Sequence, residues 1–324
     1  MNKRVFLGAD IGGTFIKLAI MDGQGNIIKK WSIETNTSDQ GRHIPLEIYE
    51  SFSKHLEMEN LTFEHIYGLG IGAPGFVDLS SGIVYEAVNI GWKDFNLKQA
   101  MESYIHQPVF VSNDANLAAL GENWKGAGKN VEDLIMVTLG TGVGGGVITS
   151  GQVINGINGT GGEIGHITVS PQDGPLCNCG RRGCIETYAS ATGIARMGYE
   201  AVQNGKETSL KEIMNLNGRI TAKDVFEEAK KDDQVCRKII EKVTDLLGLV
   251  LSNLAIAINP KKIVIGGGVA NAGEELLSPL KKSFRRYCLP RTADACTFQL
   301  AELGNDAGVI GGAYLVKKQL YLYK

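Results

Sequence analysis

Asp10-Ile11-Gly12-Gly13-Thr14 is the stretch on which the fold turns. A carboxylate closes a strand-like run at 4–9, two glycines turn the chain, and a threonine opens a second run at 14–21. Backbone N–H groups and a hydroxyl at such a turn make an anion-binding nest. The neighbouring carboxylate suits Mg²⁺, directly or through water, and Lys17 three residues on can offset phosphate charge. The same residues also suit an ordinary hairpin with two turn glycines. Recurrence weighs toward phosphate: Leu139-Gly140-Thr141-Gly142 again sits between strand-like runs, 134–139 and 144–149. Both halves open on a glycine-turned hairpin carrying a threonine, which points to an internal duplication.

Working outward, a third strand is expected at 26–33, a helix near 44–58 and a strand at 65–71. Ala73-Pro74-Gly75 turns the chain. A helix near 97–104, a short strand at 109–112 and a helix at 114–124 follow. Beyond the second hairpin the chain reads as mostly helical. Helices are expected at 187–202, at 221–230 behind a Thr221/Asp224 capping pair, and at 233–258, where Asn259-Pro260 stops it. A strand at 262–265 leads into Gly266-Gly267-Gly268, and helices at 274–287 and 307–318 close the chain. Strands alternating with helices mean an α/β fold with a largely covered sheet. Gly-x-Gly-x-x-Gly occurs at Gly70 and at Gly140, but neither copy opens a helix after a strand, as a dinucleotide fingerprint must. No stretch fits a P-loop.

The 324 residues suit one large domain or two. A net charge of −2 excludes a basic nucleic-acid footprint or a polybasic membrane patch. The 42 glycines are about twice the usual share of roughly 7 %, and they cluster where backbone would approach a ligand. The start lacks a signal-peptide core, and the longest apolar run, 246–258, is shorter than the ~18 residues of a membrane helix. A cytoplasmic protein is expected, and its six cysteines are then thiols or metal ligands rather than disulfides.

His166, Cys177, Cys179 and Cys184 have the spacing H-x₁₀-C-x-C-x₄-C. One imidazole and three thiolates complete a tetrahedral Zn²⁺ site, and four protein ligands leave no open position, so the metal is structural. A redox pair or three incidental cysteines are the alternatives; a disulfide would leave an odd thiol. Cys236, Cys288 and Cys296 read as small core residues. Lys281-Lys282 and Arg285-Arg286 read as a solvated helix face. Asn113-Asp114, where a strand gives way to a helix, reads as a helix cap or as a functional carboxylate.

Asp10-Ile-Gly-Gly-Thr14, Leu139-Gly-Thr-Gly142 and Gly266-Gly-Gly-Val269 resemble the phosphate and adenosine loops of the actin, hexokinase and Hsp70-type ATPases. Gly161-Gly-Glu-Ile-Gly-His166, followed by Cys177-Asn-Cys-Gly-Arg-Arg-Gly-Cys-Ile-Glu-Thr187, resembles the signature of the ROK family (repressor, open reading frame, kinase). The likeness runs from Asp10 to about Gly312. Within the family, Gly72-Ala-Pro-Gly75, Asn89-Ile-Gly-Trp92 and Asn113-Asp-Ala-Asn116 are most similar to bacterial ATP-dependent glucokinases.

That resemblance implies an actin-like ATPase fold, ribonuclease H-like in each half, with two α/β domains and an interdomain cleft. A small domain of residues 1–114 would take back a C-terminal helix, 305–324, and residues 115–304 would carry the zinc loop. It implies phosphoryl transfer from ATP to the 6-hydroxyl of D-glucose, with Asp114 as base. Gly75, Asn89, Asn113, Asp114, Glu163, His166 and Glu186 would meet the sugar. Asp10, Gly12, Gly13, Thr14, Lys17, Gly140, Thr141, Gly142, Gly267 and Gly268 would meet ATP and Mg²⁺. His166 would be both zinc ligand and sugar contact. A homodimer is implied, with neither nucleic acid nor membrane as partner. Another hexose (fructose, mannose or an N-acylmannosamine) is the alternative substrate. A sugar-sensing transcriptional regulator, which would need a helix-turn-helix ahead of Asp10, is the more distant alternative.

Overall fold

A computed structural model describes residues 4–322. Residues 1–3 and 323–324, the ends of the expected small domain and closing helix, lie outside them. In chain order the first elements are β1 (Val5–Ile11), β2 (Phe15–Met21), β3 (Ile27–Glu34), α1 (Ile44–Met58) and β4 (Ile66–Ala73). Then come β5 (Phe76–Val77), β6 (Ile83–Ala87), β7 (Trp92–Asn96), α2 (Leu97–Ile105), β8 (Val109–Asn113) and α3 (Asp114–Lys125). The middle holds β9 (Leu134–Leu139), β10 (Val143–Thr149), β11 (Gln152–Val153), α4 (Glu186–Ala189), α5 (Ala191–Gln203), α6 (Leu210–Asn217) and α7 (Ala222–Lys230). The rest is α8 (Gln234–Ile258), β12 (Lys262–Gly266), α9 (Glu274–Tyr287), α10 (Pro290–Ala295), β13 (Thr297–Leu300) and α11 (Ala307–Leu322).

The first five-stranded sheet has the order β3-β2-β1-β4-β8. β2 is antiparallel to both its neighbours, whereas β1, β4 and β8 run parallel. Parallel strands are covered on both faces, and β1 shows why. Val5, Leu7, Ala9 and Ile11 pack with Ile44, Ile48 and Phe52 of α1 and Met101 of α2. Phe6, on the opposite face, packs with Val309, Ile310 and Ala313 of α11. Glycines let α11 come close: a Cβ on Gly312 would lie 2.6 Å from the Gly70 carbonyl oxygen. At the edge, β3 alternates half-buried and exposed positions from Lys29 on, and it carries Lys29 and Lys30, which blunt a free edge.

The second five-stranded sheet has the order β11-β10-β9-β12-β13, and β9, β12 and β13 are parallel. Taken in chain order, both sheets follow one plan: two strands fold back antiparallel beside the first, and two more line up parallel on its other side. The duplication read from the glycine hairpins is thus repeated in topology. A third, three-stranded antiparallel sheet is β5-β6-β7.

Two compact units result. Among the described residues, one comprises 4–130, 146–162 and 302–322, and the other 131–145 and 163–301. The boundary expected at 114/115 is drawn elsewhere: α3 stays with the first unit because α11 packs along it. Gly121 and Gly311, one on each helix, face the partner helix so closely that a Cβ on either would strike its backbone.

The expected helix at 187–202 is broken. Ser190, fully buried and extended, ends α4, and its hydroxyl caps α5 by accepting from the Gly193 N–H. The three-stranded sheet, α6, α10 and β13 carry no expectation from sequence.

Candidate active site

β1, β4 and β8 put Asp10, Gly72 and Ser112 in one register row at their carboxyl ends. Open α/β sheets bind ligands at that edge. Asp10 shares a face of β1 with Phe6, so its carboxylate turns toward the first turn of α11. A Cβ on Gly308 would lie 2.6 Å from Asp10 Oδ2. Only glycine permits that approach, and a helix N-terminus favours the negative charge. Burial pushes the Asp10 carboxyl above its ordinary range, and Lys17, opposite it in the β1–β2 ladder at 3.7 Å, works against the rise.

Gly12 closes the hairpin: its N–H donates to the Phe15 carbonyl (3.0 Å), so the exposed part of the turn is Gly13-Thr14. A Cβ on Gly13 would stand 3.8 Å from that of exposed Asn89. Gly72 is the floor between the two acids. A Cβ there would lie 3.2 Å from Asp10 Oδ1 and 3.5 Å from Asp114 Cα.

Asn113, not Asp114, caps α3. Its Oδ1 accepts from the N–H of Ala115 (2.9 Å) and Asn116 (3.2 Å), and its Nδ2 donates to the Gly75 carbonyl (3.0 Å). Gly75 has φ +85°, and a Cβ there would run into the Glu86 carbonyl. The capping reading thus belongs to Asn113, and Asp114 is left as the first residue of the helix, with Oδ1 2.8 Å from the Ala115 nitrogen. Trp92 is a packing residue, buried, stacked on Phe95 and donating to the Gly41 carbonyl.

In the second unit the turn after β9 is also closed by its first glycine, over a shorter span, with the Gly140 N–H donating to the Gly142 carbonyl (3.0 Å). Glu186 holds its far side: Oε2 accepts from the Val143 N–H (2.9 Å), and a Cβ on Gly142 would strike that carboxylate. Thr138 and Gly266 are register partners at the ends of β9 and β12. Gly267, at φ +83°, lies so close to Leu139 that a Cβ would be 2.5 Å from its carbonyl oxygen.

Beyond Gly267 a cavity of about 520 Å³ opens, walled by Gly268, Val269 and Ala272 on one side and by Lys223, Phe226 and Glu227 of α7 on the other. The α7 wall escaped the sequence reading. Its capping pair was legible, and the structure forms it, with Thr221 N–H donating to Asp224 Oδ2 and Asp224 N–H to Thr221 Oγ1. Lys, Phe and Glu at helical spacing look like any amphipathic face.

His166, Cys177, Cys179 and Cys184 converge, with all four ligand atoms within 4.8 Å of one another. His166 Nδ1 is 3.6 Å from Cys177 Sγ, and Cys179 Sγ is 3.5 Å from Cys184 Sγ. Edges of a tetrahedron with Zn–S bonds of ~2.3 Å are about 3.7 Å, so this donor set fits zinc. Gly183 at φ +71° lets the loop fold onto Ser170. Left to themselves the thiols disagree. A backbone hydrogen bond from Arg181 lowers Cys179 to about 6, while burial pushes Cys184 up to about 12. Cys177 Sγ also lies 3.7 Å from Glu186 Oε1. With Nδ1 turned to the sulfurs, Nε2 of His166 faces away from them. Glu163 stands nearby, its carboxyl raised by burial, with His166 lowering it and Glu186 raising it further.

A family model described as the ROK family matches residues 6–319. A glucokinase of Halalkalibacterium halodurans is 50 % identical over 98 % of this chain and 97 % of its own. A glucokinase of Thermotoga maritima is 33 % identical over 99 % of each. The crystal structure of a ROK family glucokinase from Streptomyces griseus, in complex with glucose and AMPPNP, superposes with a TM-score of 0.75. It is 33 % identical and is covered over 97 % of this chain and 99 % of that one. Family model, relatives and fold agree over nearly the whole length, and the chain belongs to the ROK family, with the two-domain actin-like ATPase fold of its sugar kinases.

Proposed function

We propose that the protein is an ATP-dependent glucokinase, transferring the γ-phosphoryl group of ATP to the 6-hydroxyl of D-glucose. The observation that carries this reading is the pair of acids, Asp10 and Asp114, set on either side of Gly72 at the carboxyl ends of parallel strands. The 50 % identity to a glucokinase supports the choice of sugar.

Asp114 accepts the proton of the attacking hydroxyl, a contribution of about 10²–10⁴ in rate. Asn113, locked by its three hydrogen bonds, Gly75 and Asn89 orient sugar hydroxyls. Glu163, Glu186 and Nε2 of His166 bind others. Gly12, Gly13, Thr14 and Lys17, with Gly140, Thr141 and Gly142, approach the phosphates, and Gly267 and Gly268 the adenosine, whose base takes the cavity against α7. Asp10 is the hard oxygen donor toward Mg²⁺, whose charge, when bound, offsets that of the phosphates. His166, Cys177, Cys179 and Cys184 would hold zinc, which when bound would fix the ring of His166 and so the direction of Nε2. Water is a rival nucleophile, so exclusion of solvent belongs to the mechanism. The same reading carries a cytoplasmic homodimer without nucleic-acid or membrane partners, and light scattering at twice the subunit mass checks the dimer.

The test is ADP release with Mg-ATP over glucose, fructose, mannose and N-acetylmannosamine, comparing wild type with Asp114→Asn. Turnover on glucose that falls by about 10²-fold or more in the variant is expected. Turnover confined to another hexose moves the substrate and keeps the base. No turnover on any of them, in protein with its zinc, overturns the kinase reading.

A further inference from the structure

α8 and α9 pack antiparallel, and a Cβ on Gly248 would stand 2.7 Å from that of Ser283. One turn away, Asp245 pairs with Arg286 and accepts from the Tyr287 hydroxyl at 3.0 Å. Beside this contact the two helices leave a groove of about 490 Å³, within the size range of small-molecule sites. Its lining is cationic: Lys238 and Lys242 on α8, Lys282 and Arg286 on α9, against the acids Glu241 and Asp245.

Each cationic pair is spaced i,i+4, where like charges repel along a helix, and both pairs face one groove. Two of the four charges are engaged within the protein. Arg286 has Asp245, and Lys242 lies over the Tyr188 ring, 5.1 Å from its centroid. Lys238 and Lys282 have no carboxylate partner among the described residues. The sequence alone makes Lys282 and Arg286 part of a solvated face; the structure turns them toward a concavity with a second cationic ridge opposite.

We propose that this groove binds a sugar phosphate, with Lys238 and Lys282 holding the phosphate dianion and Glu241 accepting from sugar hydroxyls. A dianion relieves the repulsion of both ridges. The groove's volume exceeds that of a bare phosphate, and Glu241 offers hydroxyl groups an acceptor that a bare phosphate would not use. None of its residues belongs to the catalytic loops or the zinc site.

The experiment is calorimetric titration of glucose 6-phosphate into the enzyme saturated with glucose and AMPPNP, which fill the catalytic positions. Wild type is compared with the double variant Lys238→Ala/Lys282→Ala. Both lysines are exposed, and neither is placed in the catalytic machinery. One site per chain is expected, weakened about tenfold or more in the variant, which loses both charged contacts to the phosphate, with KM for glucose and ATP unchanged. No binding to the saturated wild type, or equal binding by the variant, overturns the proposal. So does inorganic phosphate binding as tightly as glucose 6-phosphate, since that would be a bare anion site. Turnover is measured separately, so failure of the kinase reading and failure of this groove are distinguishable.

Discussion

Glu122 is wholly buried in α3, and its carboxylate is the acceptor for backbone donors at the points where the first unit's chain segments end. Oε2 accepts from the N–H of Ala127 (3.0 Å) and Glu302 (3.1 Å), and Oε1 from that of Leu303 (2.7 Å). Glu122→Gln keeps the shape and replaces one oxygen by an NH₂ group. Whichever way the amide turns, at least one backbone N–H faces a donor. An orphaned buried N–H costs about 1–3 kcal/mol, and the remaining bonds lose their charge assistance, so the total is about 2–4 kcal/mol. At about 2–4 °C per kcal/mol for a unit of this size, Tm falls by roughly 4–16 °C. Glu122→Ala, which strands every one of these donors and leaves a cavity, falls further. Calorimetry gives the order wild type, Gln, Ala, and hydrogen exchange shows faster exchange at the amides of Ala127, Glu302 and Leu303. A Gln variant within about 2 °C of wild type, with those amides as protected as before, would refute the reasoning.

Asp10→Asn separates function from stability. Because burial raises the native carboxyl above its ordinary 3.8, the folded state holds its proton longer than the unfolded one. Wild-type stability therefore falls as pH rises from 3.8 through the native value, and is flat above it. The Asn variant lacks that fall, so without ligands its Tm at neutral pH exceeds the wild type's while Mg-ATP-dependent turnover is lost; a lower Tm at every pH would contradict this. Elemental analysis should find one zinc per chain, and a chelator strong enough to strip it should lower Tm and raise KM for glucose through the freed His166 ring. Stripped protein with unchanged Tm and KM would remove zinc from the account. Ala272→Phe, projecting into the cavity beside α7, should raise KM for ATP about tenfold, the equivalent of ~1.4 kcal/mol, with KM for glucose unmoved; an equal rise in both would place the base elsewhere.

Features that one short segment encodes were legible in the sequence. Asp10-Ile-Gly-Gly-Thr14 shows its turn, its acid and its hydroxyl in five letters. The cluster of His166 with three cysteines is legible because three cysteines within eight residues have few other uses. α8 announces both ends: Asp233 caps it through the N–H groups of Val235 and Cys236, and Asn259 leaves it at φ 55° before Pro260. What stayed hidden depends on distant partners. β7 reads Trp-Lys-Asp-Phe-Asn and becomes a strand only because β6 pairs with it. Ser190 breaks a helix that propensity would continue, since its hydroxyl is worth more as a buried cap for α5. Glu122 sits in a helical stretch where a glutamate reads as solvated, and its donors at 302–303 lie 180 residues away.

On the proposed reading, the repeated sheet plan accounts for a division of chemical labour between the halves. Asp10 and Thr138 occupy the same place: each is the last-but-one residue of the strand before a glycine turn, and each is registered against a glycine, Gly72 or Gly266, on the next parallel strand. Both turns close with the first glycine's N–H donating within the turn. The spans differ, Gly12 reaching Phe15 and Gly140 reaching Gly142, but one strand–glycine-turn plan is used twice with different side chains. A carboxylate at position 10 can face a hydrated cation and, with Asp114 across Gly72, leaves the first copy equipped for proton transfer and charge handling. A threonine at position 138 carries neither charge nor a basic group at neutral pH, so the second copy is suited to hold a nucleotide rather than to act on a hydroxyl. The exchange Thr138→Asp would set a second acid beside the Gly140–Gly142 turn, where like charge opposes phosphate. On the proposed glucokinase reading, the acids then belong in the copy that meets the sugar's attacking oxygen, and the residues that build the open cavity, Gly268 and the α7 face, belong in the other.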